Sequence, residues 1–164
     1  MEVITNSKTT IKMSNTCQNK LTIKGDLTQL NHFISMIKVE EGQNCEEGEF
    51  SLNNLYPLDT SEIEEEDLND YKSEVWGTSY ISNCKYTFKN ETEIIISFYS
   101  AWAPPKEWLI RIARLYGRLT FKLKYNEPGI GFSGTLILTG NNKNEIFRTS
   151  VFIPDFYLWK SKTK

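Results

Sequence analysis

Apolar and polar residues alternate along several short segments, and alternation with a period of two predicts strands. The pattern is clearest from Leu119 to Tyr125, where apolar positions alternate with Thr120, Lys122 and Lys124. A strand of this kind has one dry face and one wet face, which favours an antiparallel sheet.

Shorter patterns of the same kind predict further strands. A first strand extends to Lys24, and others are expected at 50–52, 85–88, 94–99, 132–139 and 146–153. The apolar run that begins at Ile94 indicates a central strand, and its spacing from 85–88 suits a hairpin. A turn at Gly140-Asn141-Asn142 joins the last two strands into a second hairpin.

Two segments show helical periodicity. The first is predicted from Leu27 to about Val39: Asp26 and Gln29 have the capping-box spacing, and the apolar positions fall on one helix face. The second begins at Pro105 or just after it, because the residue before a proline is pushed towards extended geometry. Trp108, Leu109, Ile112 and Leu115 form its apolar face.

The order strand, helix, strands, helix, strand predicts an α+β fold. We expect a ferredoxin-like βαββαβ antiparallel sheet with two helices on one face, plus a C-terminal β-hairpin. The expected domain plan is a flexible N-terminal arm (1–16), one domain (17–159) with an acidic insert near 57–74, and a loose tail (160–164).

Charge and cysteine usage narrow the function classes. The 164 residues carry 19 basic and 21 acidic side chains, a net charge of −2, and only four of the basic residues are Arg. A nucleic-acid partner is therefore not expected, and single-stranded binding through Lys122 and Lys124 ranks last among the hypotheses. The three scattered Cys, the polar N-terminus and the lack of a membrane-length apolar run predict a cytoplasmic protein without a membrane partner.

The sequence offers few residues for catalysis. His32 is the only histidine, and it lies off the apolar face of the first predicted helix. No zinc spacing, catalytic triad or phosphate-binding glycine motif is present, so no metal and no cofactor are expected. This favours a protein that is not an enzyme, although weak activity stays open.

One end of the sheet gathers the candidate binding residues. In a ferredoxin-like topology the third and fourth core strands run in the same direction, so the segments that follow them meet at one edge. At that edge we expect Trp102, Pro104, Glu127 and Phe132. The full set of binding candidates is Trp76, Gly77, Thr78, Trp102, Pro104, Pro105, Tyr125, Glu127 and Phe132. The alternative interpretation is structural, with Trp102 wedged against the sheet and Glu127 capping a turn.

A second candidate surface is the acidic run Glu64, Glu65, Glu66 and Asp67. It predicts a solvated loop or a short exposed helix. The sharper alternative is an acidic patch for a basic partner.

Five motifs in order resemble a known family. They are 17–23 (CQNKLTI), 50–57 with Leu55-Tyr56-Pro57, Trp76-Gly77-Thr78, 100–105 (SAWAPP), and Tyr125-Asn126-Glu127-Pro128-Gly129 with Phe132 and Gly134. This series resembles the YubB ferredoxin-like domain family, small proteins of phages and plasmids. The resemblance implies a ferredoxin-like fold without an iron–sulfur cluster and a mobile genetic element as its source.

These observations lead to two main hypotheses. The first is a non-enzymatic binding module of a phage or plasmid that engages a host or defence-system protein in the host cytoplasm. The alternative is a small-molecule or nucleotide site at the Trp76/Trp102/Glu127 edge, with weak enzymatic activity as a variant of it.

Overall fold

The computed structural model describes residues 15–40 and 47–149. Within these ranges the chain forms one sheet and several helices. The strands are β1 (Thr16–Lys24), β2 (Ile81–Asn90), β3 (Glu93–Ala101), β4 (Thr120–Glu127), β5 (Phe132–Thr139) and β6 (Asn142–Thr149). The helices are α1 (Leu27–Ile37), α2 (Leu52–Leu55), α3 (Leu68–Trp76) and α4 (Lys106–Leu115), and a 3₁₀ turn (Glu65–Asp67) precedes α3.

The described strands lie in the order β2-β3-β1-β4-β5-β6, and all neighbours are antiparallel. β1 is central, between β3 and β4. β5 and β6 extend the sheet beyond β4 as a hairpin, which turns within Gly140-Asn141 because Thr139 pairs with Asn142. The expected α+β class, antiparallel sheet and added hairpin are confirmed.

The helices pack on one face of this sheet. Leu21 and Ile23 of β1 pair with Leu123 and Phe121 of β4, and all four side chains are buried. Phe33 of α1 contacts Phe121 edge to face, with ring centroids 5.7 Å apart. Because side chains alternate along a strand, the intervening residues of β1 and β4 point to the opposite face.

The chain between α1 and β2 differs from the sequence prediction. The prediction of a strand at 50–52 is wrong, because Phe50 makes only an isolated bridge with Lys38 and α2 begins at Leu52. The Ser51 hydroxyl accepts a hydrogen bond from Asn53 N (3.3 Å) and caps that helix.

The expectation of two helices is incomplete, because α3 follows the acidic run. Its few apolar positions give a weak helical pattern, which explains why the sequence did not reveal it. The left-handed Gly77 (φ 90°) ends it, and its N–H donates to Ser73 O (2.9 Å).

Several predicted segments lie wholly or partly outside the described residues. These are most of the arm at 1–16, the part of the last strand beyond 149, and the tail at 160–164. Thr16 itself is the first residue of β1, and β6 begins earlier than expected, at Asn142. Within the described ranges, no helix has the length and apolar character needed to cross a bilayer.

Candidate functional site

The strand register brings Trp102 and Glu127 to the same end of the sheet. Ala101 pairs with Thr16, and Asn126 pairs with Gln18, so the segments after β3 and β4 flank the start of β1. Trp102 N also donates to Asn15 O (2.8 Å). The topology predicted that Trp102 and Glu127 lie at one end of the sheet, and the register agrees. Whether each residue can bind a ligand or partner depends on its contacts and its exposure.

Glu127 caps the turn that follows β4. Its side chain is fully buried, and its carboxylate accepts hydrogen bonds from Gly129 N (3.2 Å) and from Ile130 N. Its carbonyl accepts from Gly131 N (2.9 Å). Both carboxylate oxygens thus accept hydrogen bonds from the protein's own backbone. Glu127 therefore has the structural role of capping a turn.

Trp76, Gly77 and Thr78 lie at the end of α3 and in the segment that leads to β2. The Trp76 side chain is 3% exposed, and its indole N–H donates to Tyr56 O (3.2 Å). The Thr78 hydroxyl is buried and donates to Ala101 O (2.9 Å). A Cβ on Gly77 would lie 3.0 Å from Lys106 N, so this close approach needs a glycine.

Trp102 is the exception among the predicted residues. Pro104 and Pro105, two and three residues later, are buried at the start of α4, whereas the Trp102 side chain is 50% exposed. Its backbone has φ 64°, in the left-handed region that disfavours residues with a Cβ. The protein therefore holds a large aromatic side chain at the surface in an unfavourable backbone conformation.

Tyr125 and Phe132 belong to a cluster that joins the C-terminal hairpin to α4. Tyr125 is 3% exposed, and its hydroxyl donates to Glu145 Oε1 (2.7 Å). Lys106, the first residue of α4, pairs with the same carboxylate, and its Nζ lies 4.7 Å from the centre of the Tyr125 ring. The Phe132 ring contacts both Tyr125 and Phe147.

This cluster has a marked effect on proton affinities. Burial, and then the hydrogen bond to Glu145, raise the pKa of Tyr125. Burial acts to raise the pKa of Glu145 as well, but the hydrogen bond and charge of Lys106 outweigh it and lower that pKa. Glu145 is therefore an ionised anchor of the hairpin rather than a proton donor near neutral pH.

Buried polar residues also link β1 to β3. Asn19 Nδ2 donates to Cys17 O (3.0 Å) and to Ser100 Oγ (2.8 Å), and Ser100 Oγ donates to Ala103 O (2.7 Å). Burial raises the pKa of the Cys17 thiol to about 12. The thiol stays protonated at neutral pH, so this group is a structural core residue.

The acidic run is exposed to solvent. Glu64 is the N-cap of the 3₁₀ turn formed by the next three residues, and all four predicted acidic side chains are exposed. They make no ion pair with any described residue. In residues 15–40 and 47–149, no group of His, Cys, Asp and Glu has a geometry that would hold a metal ion.

The sheet face opposite the helices carries a cluster that the site prediction did not include. No described helix covers it, and its exposed cations come from four strands. We call Lys20, Lys85, Lys122, Lys124 and Arg148 the cationic face. The described strands place one carboxylate on this side, Glu93, which lies at the far end and already pairs with Lys24 (3.8 Å) and Lys89 (3.4 Å).

Two shallow depressions lie along this face. Each has a volume of about 370 Å³, and Asn126 lines both. The first extends past Ser133 to Arg148, and the second is lined by Lys20, Tyr99 and Lys124 among others. Amides, an aromatic ring and cations therefore line neighbouring depressions on the open face.

Sequence reasoning considered Lys122 and Lys124 but missed the rest of the cationic face. Lys20 is a polar position in the alternating pattern of β1, so the sequence held a signal for its direction. Its position opposite Lys124 depends on β1 and β4 being neighbours. That pairing follows from the topology and not from either segment alone.

The antiparallel sheet with helices on one face defines an α+β class of protein, and comparison with known proteins supports that class. The family described as "Ferredoxin-like domain in Api92-like protein" matches residues 82–150, a range that contains β3 to β6 and all of β2 but its first residue. The chain is thus an α+β protein with a ferredoxin-like domain.

A solved structure gives the particular likeness. The chain is similar to the crystal structure of protein Api92 from Yersinia pseudotuberculosis, with a TM-score of 0.59, 11% sequence identity, and coverage of 85% of this chain and 99% of that one. At this identity the likeness shows the fold alone. No curated protein matches the sequence. The ferredoxin-like expectation is confirmed, and the particular YubB family stays a prediction.

Proposed function

We propose that this protein is a non-enzymatic binding module that contacts a partner protein through Trp102. The supporting observation is the 50% exposed indole on a backbone with φ 64°. A left-handed conformation at a residue with a Cβ costs about 1–2 kcal/mol. Tryptophan is also enriched among the residues that dominate protein interfaces. A role for the exposed ring in binding explains why such a residue occupies this position.

The source and the partner form part of the same proposal. The ordered motifs that resemble the YubB family support a phage or plasmid protein that acts in the host cytoplasm. A host or defence-system protein is then the expected partner. The exposed run from Glu64 to Asp67 supplies a second contact for basic residues of that partner.

The small-molecule alternative has less support. It relied on Trp76, Trp102 and Glu127 lining one open pocket. Trp76 is 3% exposed, and both carboxylate oxygens of Glu127 accept hydrogen bonds from the turn after β4. Of the three residues, only Trp102 offers a surface that a ligand can reach.

The finer topology also belongs to this proposal. We assign the ferredoxin-like βαββαβ core to β1, α1, β2, β3, α4 and β4, and we treat β5–β6 as the added hairpin. The sheet order supports this assignment, since β2, β3, β1 and β4 are neighbours in that sequence. α2 and α3 then form an insertion in the first crossover.

A comparative pull-down tests the function. Tagged wild type and Trp102→Ala are incubated with lysate from the cells that carry the gene, and retained proteins are quantified by mass spectrometry. We expect one protein to be retained by wild type and reduced at least about tenfold by Trp102→Ala. Leu115→Ala, at an apolar residue 67% exposed at the end of α4, is the matched control and should retain it. No retained protein, or equal retention by Trp102→Ala, contradicts the proposal.

A further inference from the structure

Two lysines face each other at the centre of the cationic face. Lys20 of β1 and Lys124 of β4 are direct cross-strand partners, and both are exposed. Like charges in this position destabilise a sheet. Their next neighbours across the sheet, Ser97 and Thr135, supply no carboxylate. Among the described residues, nothing offsets this repulsion, so a bound anion would remove an unfavourable interaction.

The spread of the cations points to an extended anion. Lys85, Lys20 and Lys124 lie in one row across the sheet, through the pairs Lys85–Ser97, Ser97–Lys20 and Lys20–Lys124. At about 4.8 Å between strands, this row covers roughly 14 Å. Arg148 lies farther out, on the outermost strand of the hairpin side. A chain of phosphates matches this spacing, whereas a single small anion would meet only part of it.

The next row of the sheet supplies groups suited to bases. It runs from Tyr99 through Gln18 and Asn126 to Ser133 and then Arg148. Tyr99 is 39% exposed, so its ring can stack on a base, and stacking tolerates any base. The amides of Gln18 and Asn126 offer both donors and acceptors to base edges. Aromatic and amide groups therefore lie beside the cationic row.

From this juxtaposition we infer that the cationic face binds single-stranded nucleic acid, with phosphates along Lys85, Lys20 and Lys124 and a base on Tyr99. A duplex stacks its bases inside the helix, and its major groove admits a helix or a two-stranded ribbon but not a broad sheet face. A duplex therefore fits the cationic face poorly. An acidic protein would satisfy the charges but would leave the aromatic and amide row without a specific role. The inference does not depend on the proposed protein contact at Trp102.

The negative net charge does not oppose this assignment. The acidic run from Glu64 to Asp67 lies in the segment between α1 and β2, and α3, which follows it, packs against α4 rather than joining the sheet. The charge of −2 is thus an average over segregated regions. Attraction of a polyanion depends on the local distribution of charge, and the described strands place five exposed cations and one already paired carboxylate on the open face.

Fluorescence anisotropy with labelled 12-nucleotide single strands of DNA and RNA tests the inference on the full chain. At 50 mM salt we expect a dissociation constant on the order of 1–100 µM. With about four phosphate contacts, raising the salt to 200 mM should weaken binding roughly 50-fold. The duplex of the same sequence and a poly-glutamate peptide are the competitors, and both should bind at least about tenfold more weakly than the single strands.

Variants locate the site. Lys20→Glu with Lys124→Glu should weaken single-strand binding at least about 20-fold. Arg114→Glu with Arg118→Glu, at exposed positions in the last turn of α4 and just after that helix, changes the net charge equally and should stay within about threefold of wild type. Tyr99→Ala should weaken binding roughly 5- to 100-fold, and Tyr99→Phe should restore it. Lys20→Thr with Lys124→Thr, which preserves strand propensity, repeats the test if the glutamates impair folding.

Four outcomes overturn the inference. They are no binding at 50 mM salt with 100 µM protein, equal losses in the two charge-reversal pairs, duplex binding as tight as single-strand binding, and poly-glutamate binding as tight as either. The last result would indicate an acidic protein as the occupant. Failure of the Trp102 pull-down leaves every one of these measurements unaffected, so the two proposals can fail separately.

Discussion

The two faces of the same sheet differ in burial and in charge. On the helix side, Ile23 and Phe121 are fully buried and pack under α1. One residue away along each strand, Lys24 and Lys122 are exposed. Burial of apolar surface stabilises the helix side, whereas the exposed side chains of the open side are expected to contribute little to stability. Its residues are therefore free to be selected for binding.

The comparison also shows how total charge conceals local charge. A net charge of −2 and the scarcity of Arg led to the expectation that no nucleic acid is bound. The exposed carboxylates from Glu64 to Asp67 and the cations around Lys20 enter that sum together, although they belong to separate surfaces. A balanced total is therefore compatible with a strongly one-signed surface, and the argument from net charge does not apply locally.

The largest expected effect separates the two faces directly. Phe121→Ala removes a fully buried aromatic ring and should lower the free energy of unfolding by about 3–5 kcal/mol. Lys122→Ala, at the adjacent exposed residue of β4, should stay within about 0.5 kcal/mol of wild type. Urea titrations followed by tryptophan fluorescence measure both. Similar losses in the two variants would show that the open face is also part of the packed core.

A second, smaller effect concerns the anchor of the C-terminal hairpin. Glu145→Gln removes the charge that Lys106 and Tyr125 contact, and it should lower the free energy of unfolding by about 1–3 kcal/mol at pH 7. Because the folded pKa of Glu145 lies below its ordinary value of 4.5, the ionised form favours folding. The advantage of wild type is therefore full above about pH 4.5 and disappears as the pH falls through the folded pKa.

Glu107→Gln is a control, because the pKa of Glu107 is shifted in the opposite direction from that of Glu145. Burial raises the pKa of Glu107, so its ionised form disfavours folding, and this penalty is present above the folded pKa. The variant should match or exceed wild type at pH 7 and lose that advantage in acid. Unfolding titrations between pH 3 and pH 7 measure both variants. A wild-type advantage over Glu145→Gln that does not change with pH would contradict the proposed anchor.

The smallest effect tests the repulsion on the open face. Lys20→Glu places opposite charges across the pair with Lys124 and should raise the free energy of unfolding by about 0.2–1 kcal/mol at low salt. Lys122→Glu is the matched control, because its cross-strand partner is Thr22 and its gain should be smaller. High salt should shrink the difference between them. Destabilisation by Lys20→Glu would show that Lys20 and Lys124 do not repel each other in the free protein.

Much of the fold could be predicted from local patterns. The capping-box spacing of Asp26 with Gln29 places the start of α1, and Asp26 Oδ1 does accept from Gln29 N (2.9 Å). The alternation in β4 and the Gly140-Asn141 turn are equally local. α3 was missed, since it has few apolar positions and depends on tertiary packing against α4.

The site was harder to predict than the fold. The topology correctly brought Trp102 and Glu127 to one end of the sheet, but exposure depends on contacts that no local pattern encodes. Glu127 is engaged by its own turn, and Tyr125 is held by Glu145 from a strand 20 residues later. Lys20 and Lys124 meet only because two strands about a hundred residues apart are neighbours.

Backbone amide chemical-shift mapping by NMR tests the central claim most directly. A 12-nucleotide single strand is titrated into isotope-labelled protein at 50 mM salt, and the shift changes are placed on the two faces. The account predicts the largest changes at Lys20, Tyr99 and Lys124, with little change along α1 and at Glu64 to Asp67. No change at the open face, or larger changes on the helix side, would contradict it.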